Sequence, residues 1–145
     1  MSKVTMDQTK PSTDLKRRLP LLRGYTKEFY RWCRDGELRF QRCRDCGTWR
    51  HPPRPMCGSC HSIRWEWART AGKGKVHCWT VVYQALDAAF ADDVPYVAAI
   101  VELDEGPRLA TWVTGSLPDQ LYVGMPVEVW FDLLDDQAAL PKFRP

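Results

Sequence analysis

The sequence lacks the features that mark several large protein classes. Its longest run without Asp, Glu, Lys or Arg is Val76–Leu86, eleven residues. A membrane-spanning helix needs about 20 apolar residues, so none is expected. The opening stretch is polar and holds no apolar core, which excludes a secretory signal there. Histidine is scarce: His51, His61 and His77 are all there is. There is no G-x-G-x-x-G, no G-x4-G-K-[ST] and no G-x-S-x-G, so no phosphate-binding loop or serine nucleophile elbow is read. Asp92-Asp93 and Asp135-Asp136 read as solvated loop charges rather than an acid–base pair. No nucleophile stands with a base, which points to a binding or accessory protein. Basic residues are scarce in one half of the chain. Residues 1–75 carry 18 Lys and Arg against 7 Asp and Glu, and residues 76–145 carry 3 against 11. The overall charge of +3 averages two differently charged modules.

What is present divides into four stretches. Residues 1–20 read as a flexible leader with a basic cluster at Lys16, Arg17 and Arg18. Residues 21–37 form a helical segment. Its helix is expected over Thr26–Asp35, with Thr26 as N-cap and Gly36 as the stop. Phe29, Tyr30 and Trp32 give it more aromatic surface than a single face needs, for a core or an interface. Residues 38–71 carry two alternating strands, about Leu38–Arg42 and Ile63–Trp67, around two cysteine turns. Residues 72–145 read as all β, with strands near 74–83, 96–103, 108–114, 127–133 and 140–144. The first of these is apolar on both faces, Val76, Cys78 and Val82 on one and Trp79, Val81 and Tyr83 on the other, as suits a strand that bends between two sheets. Five strands with a helical turn before the fourth are the layout of an OB barrel; a small open sandwich is the alternative.

The strongest motif is Cys43-x2-Cys46-x10-Cys57-x2-Cys60. Each C-x2-C brings two sulfurs together over one turn, and two such pairs supply the four tetrahedral ligands of a metal. Gly47 and Gly58 suit the tight turns. Zinc is the expected ion. Iron in a rubredoxin-like site is the metal alternative, and free or disulfide-bonded cysteines the metal-free one. His61 is a spare ligand. Four thiolates leave no open coordination position, so the site is structural: a staple for some thirty residues without a core of their own. Six cysteines with no secretory signal fit a reducing, cytoplasmic setting. Cys33 and Cys78 are expected as buried packing residues, and His77 as a satisfied structural histidine.

At Phe40-Gln-Arg-Cys-Arg-Asp-Cys-Gly47, His51-Pro-Pro-Arg-Pro55, Trp65-Glu-Trp67, Val101-Glu-Leu-Asp-Glu-Gly-Pro107 and Leu140-Pro-Lys-Phe-Arg144 the chain resembles a known family. It is similar to the bacterial and archaeal zinc-ribbon/OB-fold proteins, once filed as a domain of unknown function, that accompany thiolase-like acyl-CoA enzymes. The resemblance covers about residues 22–145. It implies a mainly β fold: an N-terminal helical segment, a rubredoxin-like zinc ribbon and a C-terminal five-stranded OB-fold barrel. It implies Cys43, Cys46, Cys57 and Cys60 as zinc ligands. It also implies a non-catalytic subunit that binds and stabilises a thiolase-like retro-aldolase, thiolase or acyltransferase in a hetero-oligomer, with steroid or lipid side-chain breakdown as one branch. Under that reading Phe29, Tyr30 and Trp32 dock the partner. Arg50 and Arg54 attract the phosphates of a CoA thioester, and Phe90 covers its acyl chain. A single-stranded nucleic-acid binder is the alternative, opposed by the acidic barrel half. An independent metalloenzyme is opposed by the closed tetrathiolate.

Overall fold

The computed structural model describes residues 19–145; residues 1–18 of the expected leader lie outside the described residues. Helix α1 runs over Gly24–Arg34. It starts two residues earlier than expected, behind an extended Arg23 with no side-chain cap, so Thr26 lies inside the first turn. It stops where the sequence says. Gly36 has φ +79, and the amides of Gly36 and Glu37 donate to the carbonyls of Cys33 and Trp32. That double closure of a helix end needs a left-handed residue, and glycine takes it without a Cβ penalty.

A three-stranded antiparallel sheet follows, with strands β1 (Arg39–Cys43), β2 (Trp49–Arg50) and β3 (Trp65–Arg69) in the order β2-β1-β3. Strand β2 was not expected; two residues hold no alternation to read. The second module has β4 (Lys73–Val82), β5 (Tyr96–Leu103), β6 (Arg108–Val113), β7 (Pro126–Leu133) and β8 (Ala139–Arg144). They close as β4-β5-β6-β8-β7, a five-stranded OB barrel rather than an open sandwich. A 3-10 turn at Pro118–Gln120 precedes β7. Among the described residues no helix is long and apolar enough to cross a membrane.

Strand β4 bends by a device the alternation does not reveal. Its pairing with β5 slips between Val76 and Cys78, and the extra residue is His77. A bulge moves every later side chain to the other face. Val76 stays buried, Trp79 and Val81 turn to the core, and Cys78 turns outward. The expectations of a buried Cys78 and a satisfied structural His77 are therefore corrected: both are exposed. Gly74 allows the barrel to close tightly. A Cβ there would stand 2.4 Å from the Glu102 carbonyl oxygen.

The two modules share one core. Phe29 and Cys33 of α1, Leu38 and Phe40 of the small sheet, and Val76, Val101, Val127 and Phe143 of the barrel form a single buried cluster. The small sheet thus has apolar anchorage besides its metal site, contrary to the expectation of a stretch without a core. Helix α1 is the wedge between the modules. Phe29 stacks on Phe40, Tyr25 meets Trp65 edge-on, and the Trp67 indole donates to Glu28 at 2.7 Å.

Candidate metal centre and the groove between the modules

The sulfurs of Cys43, Cys46, Cys57 and Cys60 all lie within 4.8 Å of one another. Cys43 and Cys60 sulfurs are 3.6 Å apart, as are those of Cys46 and Cys57. Four sulfurs placed about 2.3 Å from one ion at tetrahedral angles stand about 3.8 Å apart. The donor set therefore fits a single tetrahedral ion such as zinc. Its electrostatics point the same way. Cys57 receives the amides of Cys60 and Ser59, which pull its thiol down to about 6. The Cys46 amide, followed by that of Asp45, lowers Cys43. Cys60 receives the Ser62 amide, yet the neighbouring sulfur of Cys46, burial, and the sulfurs of Cys43 and Cys57 push it up to about 12. Four thiolates crowded together need a cation between them. His61 lies outside the sulfur cluster.

The two cysteine turns repeat one backbone design. In the first, the Gly47 amide donates to the Cys43 carbonyl and the Cys43 amide to Thr48. In the second, the His61 amide donates to Cys57 and the Cys57 amide to Ser62. Gly47 has φ +74 and His61 φ +62, so the histidine occupies the left-handed position that glycine fills in the first turn. Asp45 ties the turns together. Its carboxylate accepts from the Ser62 hydroxyl and from the Arg64 guanidinium. Arg64, then Ser62, hold its acid down to about 2.

Away from the sulfur cluster's own residues, a groove of about 490 Å³ opens where helix α1, the stretch that follows β2 and the barrel meet. One wall is Thr26, Phe29 and Tyr30 of α1, and His51, Pro52 and Pro53 extend it. The barrel supplies Leu109, Trp112, Leu140 and Lys142, while Phe90 and Leu134 stand on the rim loops. That size and mostly apolar lining are typical of a small-molecule or peptide-segment site between modules. Burial lowers the His51 imidazole to about 4, so the ring is neutral, lying against Phe29 and Phe40. Burial likewise raises the Tyr30 phenol. Among the described residues the single cation in the lining is Lys142, held at 2.6 Å by Asp132 and over the Trp112 ring at 4.4 Å.

The candidate contact residues are placed differently from one another. Tyr30 and Phe90 line the groove, and Phe29, 5% exposed, forms its floor from within the core. Trp32 lies away from the groove lining, under the Arg39 guanidinium at 4.2 Å. Arg50 is committed to the fold. Its Nε donates to the fully buried Gln41 side chain at 2.7 Å and its Nη2 to the Arg54 carbonyl at 2.9 Å. Neither Arg50 nor Arg54 lines the groove. The sequence reading missed Trp112, Lys142 and His51 as groove residues. The His-Pro-Pro stretch and the run of apolar residues around Lys142 were visible; that they face each other was not.

Comparison with known proteins agrees with this architecture. Residues 33–66 match the family model described as ChsH2, rubredoxin-like zinc ribbon domain. Residues 67–132 match the one described as ChsH2, C-terminal OB-fold domain. The chain is 37% identical over 139 residues to a probable enoyl-CoA hydratase alpha subunit of Thermomonospora curvata, covering 96% of this chain and 43% of that protein. It is 40% identical over 91 residues to a DUF35 domain-containing scaffold protein of Methanocaldococcus jannaschii, covering 62% of this chain and 64% of that one. The chain thus spans about half of the one and under two thirds of the other. Among solved structures, one titled Ltp2-ChsH2(DUF35) aldolase superposes with a TM-score of 0.80 at 38% identity, over 88% of this chain and 98% of that chain.

Proposed function

The chain belongs to the ChsH2-type zinc-ribbon and OB-fold (DUF35) family, and from that membership we propose that it is the non-catalytic subunit of an acyl-CoA enzyme complex. Its partner is a thiolase-like retro-aldolase, thiolase or acyltransferase, held in a cytoplasmic hetero-oligomer. The observations that support this reading are a four-sulfur cluster with no open ligand position and an apolar groove between helix and barrel. Four protein ligands fill a tetrahedral ion, so it offers no position to water or substrate. The metal fixes the two cysteine turns and, through β1, the helix wall of the groove. The groove then takes the apolar part of a thioester presented by the partner, with Tyr30 and Phe90 against it. Arg54, whose side chain is exposed, meets the phosphates from outside the groove. Trp32 and its cationic neighbours Arg31 and Arg39 face the partner.

The scaffold name of the archaeal relative and the aldolase title of the solved complex support this assignment; the hydratase name belongs to a protein more than twice as long. The test is co-expression of the tagged chain with the thiolase-like protein of its own genome, followed by acyl-CoA cleavage assays. We expect the two to elute as one complex and the partner to lose activity without this chain. A partner that is equally soluble and active alone would overturn the proposal, as would acyl-CoA turnover by this chain in isolation.

A further inference from the structure

The barrel wall of the groove holds a buried cation. Lys142 on β8 is 7% exposed and lines the groove. It is the one buried charged residue among the described residues. Taking an ammonium out of water is costly unless its donors are met by hydrogen bonds. The group has three N–H donors and no acceptor. Among the described residues it makes one hydrogen bond, to the Asp132 carboxylate at 2.6 Å. Two indoles take other sides of it. Nζ lies 4.4 Å from the centre of the Trp112 ring and 5.6 Å from that of Trp130. Their faces hold the charge, but an aromatic face is a weak hydrogen-bond acceptor. Donor capacity is therefore left over on a wall whose neighbouring members, Leu109, Leu140 and Phe90, are apolar.

Packing alone does not account for this arrangement. An apolar side chain of the same volume often serves a buried position as well as an ion pair does, or better. A ligand gives the spare donors a use. Water satisfies them while the groove stands open. A ligand that fills the groove displaces that water and has to supply an acceptor in its place. A plain hydrocarbon strands the donors, whereas a ligand with an oxygen at this point does not. The better oxygen is a neutral one. Lys142 already faces a carboxylate, and a second carboxylate beside Asp132 would add like-charge repulsion in apolar surroundings.

We propose that Lys142 is the specificity-determining residue of the groove, selecting apolar ligands that carry a neutral oxygen acceptor, a ketone or a hydroxyl, over hydrocarbon ones. This deepens the reading of the groove as an acyl site and rests on it. Chemistry at the thioester belongs to the partner. The oxygen that meets Lys142 is therefore a second one, on the apolar body of the acyl group.

The test uses the zinc-loaded full chain and CoA-free probes: 2-nonanone, its methylidene isostere 2-methyl-1-nonene, and nonanoate. Binding is followed by the indole N–H signals of Trp112 and Trp130, which flank Lys142, in proton–nitrogen NMR spectra. Lys142→Met keeps an unbranched side chain without the charge. Lys142→Met with Asp132→Asn removes both charges together, so that a fold defect from stranding one of them does not obscure the result. Zinc content and melting temperature establish that each protein is folded. The ketone-to-alkene affinity ratio is read in each, which cancels the difference in how the two probes leave water. The ratio is expected to fall about tenfold from the native chain to either variant, and nonanoate to bind the native chain more weakly than the ketone. An unchanged ratio with both probes still bound overturns the role of Lys142 and leaves the acyl groove standing. Nonanoate binding more tightly than 2-nonanone overturns the preference for a neutral acceptor. If no probe moves the Trp112 signal of the native chain, the acyl-groove reading fails and the proposal with it.

Discussion

The two modules solve one problem, holding a few short strands together, by different physics. The ribbon sheet has strands of five, two and five residues and open edges. Its connecting turns are brought together by four sulfurs placed to hold one ion and by the Asp45–Arg64 pair. The barrel has strands of six to ten residues, and its sheet closes on itself, which removes the edges and needs no metal. The ribbon is cationic and the barrel anionic. Phe29 and Phe40 make the two a single hydrophobic unit, and the groove forms at that seam. A ligand-sized site arises here because two differently built modules meet along a helix.

The largest break in that contrast comes from the metal. Structural zinc contributes on the order of 10–16 kcal/mol in small finger peptides, comparable to the whole stability of a typical domain. Cys57→Ser is expected to lose the metal and soluble expression together, measured by metal analysis of the purified protein. A soluble variant retaining one zinc per chain would show that the ribbon stands on its apolar anchorage alone.

The seam is tested next. Phe40 is fully buried, stacked near Phe29 and against His51. Phe40→Ala leaves a cavity between the modules and is expected to cost about 3–5 kcal/mol, read by thermal or denaturant unfolding. If the modules were independent, unfolding would split into two transitions with the barrel's unmoved. A single shifted transition is expected.

His51 makes the same seam sensitive to pH. Burial lowers its folded pKa to about 4, against about 6.5 for the unfolded chain. The unfolded state then binds a proton that the folded state refuses, so stability falls as pH falls. The contribution is fully present above about pH 6.5 and is lost progressively down to about pH 4, reaching roughly 3 kcal/mol. His51→Phe keeps an aromatic ring against Phe40 and should flatten that part of the profile. An unchanged slope in urea unfolding from pH 7 to pH 4.5 would place the titrating group elsewhere.

Much of this could be read in the sequence, for physical reasons that also mark the limits. Strand β5 shows regular alternation over Tyr96–Leu103 and was placed at its observed bounds. The cysteine spacing announces its geometry because all four ligands sit in two short turns. Alternation fails where the backbone breaks period: the bulge at His77 reversed the expected faces of β4. Gln41 reads as an ordinary polar strand residue, but it is fully buried because Arg50 and the Arg54 amide both donate to its carbonyl. The groove was hidden for a different reason. Its walls come from residues 26–30, 51–53 and 109–142, and only the docking of the helix between sheet and barrel brings them together.

The smallest expected effect compares the ribbon with itself. Its two cysteine turns share the same hydrogen bonds, yet one uses Gly47 and the other His61 at the left-handed position. A left-handed conformation costs a residue with a Cβ roughly 1–2 kcal/mol relative to its right-handed form, and glycine is spared that. Against this, glycine gains freedom in the unfolded chain, which offsets part of the benefit. His61 is exposed, and its ring stands outside the sulfur cluster, so replacing it removes no ligand. His61→Gly should therefore stabilise the zinc-loaded protein by about 0.5–1 kcal/mol. Metal release to a chelator should slow in step, since opening the second turn exposes Cys57 and Cys60. A destabilised variant with faster release would mean that the His61 side chain supports the turn in a way its backbone strain conceals.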